Sequence, residues 1–115
     1  MENKIYQYKT VYDLNDTVDL MLSKDYKERF VGEYLQLKIR YEKLKKFTTK
    51  IEAANLYKEE KHCVNHANEC FEQLKEPIHD CPYTLLIKQQ KAMEEYLHIL
   101  ELRAEIEKID LNKKY

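Results

Sequence analysis

Residues 17–44 read TVDLMLSKDYKERFVGEYLQLKIRYEKL, and this stretch decides the fold. Phe30, Tyr34, Leu37, Tyr41 and Leu44 recur at alternating steps of four and three, the spacing that lines up side chains on one face of an α-helix. Phe47 and Ile51 extend the line, while Val31, Leu35 and Ile39 widen it beyond a single contact. Upstream, Asn15 or Asp16 is placed to cap a short helix carrying Val18, Leu20, Met21 and Leu22. Ser23 and Asp25 then restart the chain. Asp25 with Glu28 has capping-box spacing, a short acceptor followed three residues on by an acid that can reach back to a free N–H. Gly32, the single glycine, falls in mid-helix, where it costs about 0.5–1 kcal/mol relative to Ala. Close approach of another backbone is the expected reason.

A second block, residues 81–111, reads CPYTLLIKQQKAMEEYLHILELRAEIEKIDL. Asp80 or Cys81 can cap it, with Pro82 in the first turn, where a missing N–H does no harm. Leu86, Met93, Leu97, Leu100 and Ala104 form one line along this helix. Leu85, Ala92, Tyr96, Ile99 and Ile106 form a second, which also holds Gln89 and Arg103. Between the blocks, residues 52–76 read as a third helix, with a break near Asn55 left open, and with Cys63, Ala67, Cys70 and Leu74 on one stripe. Glu76-Pro77 ends it, because a residue before proline is pushed away from helical angles. Residues 1–12 alternate Ile5, Tyr6, Tyr8, Val11 and Tyr12 with polar groups, a pattern that suits a short extended arm as well as a frayed helix.

The expected fold is all-α: a helical bundle or antiparallel hairpin of long helices, with a short N-terminal arm and helix. At 115 residues the chain has room for one domain. Its parts are an arm and short helix over 1–22, a long helix over 24–51, an inserted helix and loop over 52–80, and a long C-terminal helix over 81–111. Two prolines, one glycine and a 36% charged fraction describe long helices rather than a sheet. Two helices of roughly 40 Å each, with wide apolar faces and few partners, imply that some surface closes against another subunit. A homo-oligomer is expected.

Charge and composition narrow the function. The net charge of −1 gives no bulk attraction to DNA or RNA polymers. Its distribution is uneven, with nine Lys/Arg against four Asp/Glu over 24–50 and three against seven over 51–80. That asymmetry fits paired helices, an anionic ligand or an oligomer contact. No stretch approaches the ~18 apolar residues of a membrane span, and no apolar leader opens the chain. Three cysteines are too few and too odd for a secreted disulfide framework, so a reducing cytoplasm is expected.

Catalytic patterns are absent. Phosphate-cradling glycine loops are missing, and cysteines without glycine nearby have no oxyanion hole to work with. Cys63, His66 and Cys70, with Cys81, offer four N/S ligands of the kind zinc takes, but at a spacing that matches no familiar zinc module. The zinc-stabilised module stays a minor alternative, and no cofactor is expected. Ten tyrosines without a tryptophan are the stronger signal. Aromatic faces stack on bases, and guanidinium groups hold phosphate in two-pronged fashion. Candidate ligand residues are Tyr26, Tyr34 and Tyr96 for stacking, Arg29, Arg40 and Arg103 with Lys88 for phosphate, and Gln89 for polar edges. Tyr34 and Tyr96 also fall on or beside apolar lines, so a core role competes with a binding one.

The run Ser23-Lys24-Asp25-Tyr26-Lys27-Glu28-Arg29-Phe30, followed by Glu33-Tyr34, Gln36-Leu37, Arg40-Tyr41 and Leu44, resembles a family of small phage and prophage proteins named after a crAss-like phage gene product. Cys81-Pro82, Leu85-Leu86, Gln89, Met93, Tyr96-Leu97, Leu100, Arg103, Ile106-Glu107, Ile109 and Leu111 are similar to its second hallmark. Together the blocks cover about half the chain. Residues 53–79, which carry the Cys/His segment, depart from the short connector of the family. The resemblance implies a phage-encoded accessory protein acting in the cytoplasm of an infected or lysogenic bacterium, and it brings no catalytic activity. By analogy with other helical phage proteins, it points to counter-defence through sequestration of a nucleotide immune signal, of cyclic oligonucleotide or cyclic ADP-ribose type. The alternative is an inhibitor or adaptor that docks a host or phage protein through a helix face.

Overall fold

The computed structural model describes residues 13–60 and 74–112. Among these, all regular structure is helical. A 3₁₀ turn at Leu14–Thr17 leads directly into α1 (Val18–Met21), and α2 (Tyr26–Glu60) and α3 (Tyr83–Glu107) follow. The N-terminal arm of residues 1–12 lies outside the described residues.

The first turn is capped by Asp13, two residues before the expected cap. Its carboxylate accepts from the Asn15 and Asp16 N–H groups, and Asp16 returns the bond to the Asp13 N–H. At α2, Asp25 accepts from the Lys27 N–H at 3.0 Å. Glu28 does not close a reciprocal box; it accepts from the Ser23 hydroxyl, which in turn accepts from the Asp25 N–H. A serine two residues before the cap therefore does the work assigned to the backbone.

Helix α2 runs unbroken for 35 residues, past residue 51, the end expected from periodicity. Ile51 and Ala54 are fully buried, and packing of this kind overrides the weak helix preference of Asn55. Residues 74–76 are not helical, although a helix was expected to reach Glu76. Pro77 disfavours helical angles just before it.

Contacts divide the chain into two compact units: the described residues up to Glu42 with those from Lys91 onward, and Lys43–Gln90. In the first unit the start of α2 runs antiparallel to the end of α3. Phe30, Val31, Tyr34, Leu97, Leu100, Ala104 and Ile109 form its core, with Leu20, Leu35, Leu37, Tyr41 and Leu111 packed at its edge. Gly32 is where α1 crosses. A Cβ there would lie 2.9 Å from the Leu20 Cβ and 3.0 Å from the Met21 backbone nitrogen, so the glycine does mark close approach of a second backbone. Helix α3 ends without glycine: Lys108 takes φ 59°, and the Ile109 N–H reverses to the Ala104 carbonyl at 2.9 Å. Burial of Ile109 at 6% exposure anchors that reversal.

In the second unit the buried Thr48 hydroxyl donates to the Lys45 carbonyl and meets the Gln90 side-chain amide. His79 ties the 74–82 segment down. Its Nε2 lies 2.7 Å from a Glu76 carboxylate oxygen and its Nδ1 2.7 Å from the Cys81 carbonyl. Its ring meets Phe47 edge-on, with centroids 6.1 Å apart. A carbonyl and a carboxylate at that distance both favour the doubly protonated ring. The Glu76 hydrogen bond, then the Cys81 carbonyl, accordingly raise the His79 pKa.

Candidate functional site

The amphipathic stripes of α2 and α3 turn tyrosines of one helix toward glutamates of the other. In the first unit Tyr34 donates to Glu101 at 2.8 Å and Tyr41 to Glu94 at 2.9 Å. Tyr26 donates to Glu107 at 2.8 Å, and Tyr96, from the opposite helix, donates to Glu33. The result is a ladder of phenol–carboxylate bonds along both edges of the helix pair. Hydrogen bonding to glutamate raises the pKa values of Tyr26, Tyr41 and Tyr96. Burial, reinforced by Glu101, pushes Tyr34 up to about 12. In the second unit burial and then Glu52 raise Tyr83. None of these five tyrosines is prepared as a base or nucleophile near neutral pH. They are donors and ring surfaces.

One cluster gathers several of the expected ligand residues. Arg103 lies over the Phe30 ring, 5.0 Å from its centroid. Its Nε donates to Glu107 at 2.9 Å and its Nη2 to the Tyr26 hydroxyl at 2.7 Å. Tyr26 packs edge-on against Phe30 at 6.2 Å. The guanidinium is thus held over an aromatic ring, next to a carboxylate whose pKa falls through the bonds from Tyr26 and Arg103. Tyr26 and Tyr96 keep 46% and 43% of their surface exposed, although their hydroxyls are engaged.

The other candidates are placed differently. Tyr34 is a core residue at 8% exposure, with the Lys38 ammonium 6.0 Å from its ring centroid. Arg29 turns back on its own helix start, donating to the Ser23 carbonyl at 2.8 Å. Arg40 is exposed in the first unit; Lys88 and Gln89 are exposed in the second. Cys63, His66 and Cys70 lie outside the described residues. Cys81 is an exposed free thiol, and the described residues hold no group of three metal-ligating side chains.

Phe30, Glu33, Glu94, Glu101 and Glu107 were not expected at this site; Glu94 reads as plain surface charge. A signal for two of them exists. Tyr34 and Tyr41 are seven apart on one helix, Glu94 and Glu101 seven apart on the other, and an antiparallel pair brings both couples level.

The described residues form a glycine-poor scaffold of long helices, with a guanidinium seated over Phe30 beside the part-exposed Tyr26. The family model described as Sequestin matches residues 24–65 and 65–106, well over half of the chain, and the protein belongs to the Sequestin family. The first matched segment contains all of α2 and the second nearly all of α3. No curated protein and no solved structure matches the chain. The family description points to a sequestering, binding role. No described helix is long and apolar enough to cross a membrane.

Proposed function

We propose that this protein is a phage-encoded counter-defence binder that sequesters a phosphate-bearing nucleotide signal, of cyclic oligonucleotide or cyclic ADP-ribose type, in the cytoplasm of the infected bacterium. The observation that carries the reading is the Tyr26–Phe30–Arg103 cluster with Tyr96 on the same helix as Arg103. It combines ring faces for a base with a pre-oriented guanidinium for phosphate. The Sequestin description supports capture rather than turnover. Glu107 sets a condition: an anionic ligand must share Arg103 with this carboxylate or displace it, so affinity should fall steeply with added salt.

Calorimetric titration with cyclic dinucleotides, cyclic trinucleotides and cyclic ADP-ribose derivatives tests the proposal. One class should bind, and Arg103→Ala and Tyr96→Ala should each weaken it by roughly 10- to 100-fold, the loss of one charge-assisted contact or one stacked ring. Arg40→Ala, remote from the cluster, should change little. Absence of heat and of thermal shift with every nucleotide class would refute the proposal.

A further inference from the structure

Tyr26, Phe30 and Glu33 follow one another at steps of four and three on α2, and Tyr96, Arg103 and Glu107 at steps of seven and four on α3. Each trio therefore shares one face of its helix. Bonds from Tyr26 to Glu107 and from Tyr96 to Glu33 join the two faces along one edge of the first unit.

The two carboxylates of that edge are satisfied unequally. Glu107 accepts from the Tyr26 hydroxyl on one oxygen and from the Arg103 Nε on the other, while the Arg103 Nη2 donates to the Tyr26 oxygen. That ring of three bonds is closed and neutral. Glu33 is half-buried and accepts one bond on its Oε2, from the uncharged Tyr96 phenol. Among the described residues no cation pairs with Glu33, and its Oε1 accepts nothing. The Arg103 pKa rises chiefly through the Glu107 hydrogen bond, and Glu33 adds to it without pairing. The edge thus sets one guanidinium against two carboxylates, one of which keeps an open oxygen. A bare phosphate is repelled by that surplus, whereas a ligand that brings a donor beside its anion satisfies it.

We infer that Glu33 is a specificity residue of this edge, its open oxygen accepting a hydrogen bond from the nucleoside part of the ligand, from a ribose hydroxyl or a base amino group. The inference rests on the nucleotide reading and narrows it. Tyr96 and Arg103 are seven residues apart, about 10 Å along α3. With phosphate at Arg103, a base can lie against the part-exposed Tyr96 ring. The Tyr96 hydroxyl holds Glu33 at the tip of that ring, so a donor reaching past the ring edge meets the carboxylate. A charged acceptor makes such a bond about twice as strong as a neutral one. Its charge also penalises a ligand that offers only acceptors there.

The full chain is titrated by calorimetry with cyclic di-AMP, cyclic tri-AMP and cyclic ADP-ribose. Each is paired with its 2′-deoxy analogue and with the analogue carrying hypoxanthine in place of adenine. For the class that binds, one analogue should bind roughly 10- to 100-fold more weakly than its parent, the loss of one bond to a charged group. Which analogue fails identifies the donor as hydroxyl or amine. Glu33→Ala should bring parent and analogue within about threefold of each other, as a coupled pair does when one partner is removed. Tyr96→Phe, which keeps the ring and the carboxylate, should preserve most of the gap. Should Glu33→Ala not fold, Glu33→Gln, whose amide oxygen still accepts from Tyr96, decides by the same narrowing. Parents and analogues that bind alike overturn the inference and leave the nucleotide reading standing. So does a gap that survives loss of the Glu33 charge, since Glu33 would then only position Tyr96. Failure of every parent to bind overturns both.

Discussion

Gly32 and Tyr34 are neighbours on α2 and show how single atoms set the terms of this fold. At Gly32 a methyl group would improve helix propensity by about 1 kcal/mol, yet it would meet Leu20 and Met21 at distances that side chains do not tolerate. Two of the three closest atoms belong to backbone, so relief requires α1 to shift. Gly32→Ala should therefore destabilise by about 1–3 kcal/mol in urea unfolding, and trimming Leu20 to Ala should recover none of the loss, because alanine keeps the Cβ that is met. Tyr34 links stability to alkaline pH. Its folded pKa of about 12 exceeds the ordinary value of 10.0, so its contribution is complete below pH 10. It fades as pH rises toward 12, because the unfolded chain gives up its proton first. Wild type should lose on the order of 2 kcal/mol relative to Tyr34→Phe across that window, a comparison that cancels the other tyrosines. Equal slopes for the two proteins would show that Tyr34 is not held by burial and Glu101.

Helix α2 demonstrates what periodicity reveals and what it conceals. The line from Phe30 through Ile51 was legible because steps of three and four select one helix face, and its members are buried or half-buried. On α3 the pattern drew two apolar lines but did not say which is inside: Leu97, Leu100 and Ala104 are buried, whereas Tyr96, Ile99 and Ile106 are exposed. The far end of α2 was less legible, since Asn55 and the polar run after it carry a break signal. Ile51 and Ala54 are fully buried there, and such packing is something a one-dimensional pattern does not contain. The same holds for the phenol–carboxylate ladder, where the residue types were visible but the register between helices was not. The C-terminal reversal at Lys108 was hidden because it uses no glycine. If packing carries α2 past residue 51, Ile51→Ala should cost about 2–4 kcal/mol. Leu56→Ala, at a half-exposed position, should cost under about 1 kcal/mol. Both are measurable by chemical denaturation, and comparable losses would mean that the stripe does not govern this part of the helix.

At the scale of the whole protein, sequestration and catalysis make opposite demands, and stoichiometry separates them. A sequestering protein withdraws signal only up to its own concentration and must bind tightly enough to compete with the receptor; an enzyme needs only a little protein and returns product. Binding of ligand to the folded state alone stabilises it by RT ln(1 + [L]/Kd), about 2.7 kcal/mol at a hundredfold excess over Kd. For a chain of this size that corresponds to a melting shift on the order of 10 °C. If the ligand is the proposed nucleotide, the saturated protein should show such a shift, and heat-denatured complex should release the ligand chemically unchanged, in fixed proportion to chain. Inhibition of the signal's receptor should then rise linearly with protein added and stop at equivalence. Loss of signal continuing beyond equivalence, with altered nucleotide in the supernatant, would instead require a catalytic group beyond the tyrosines, whose pKa values α2 and α3 raise through burial and glutamate bonds.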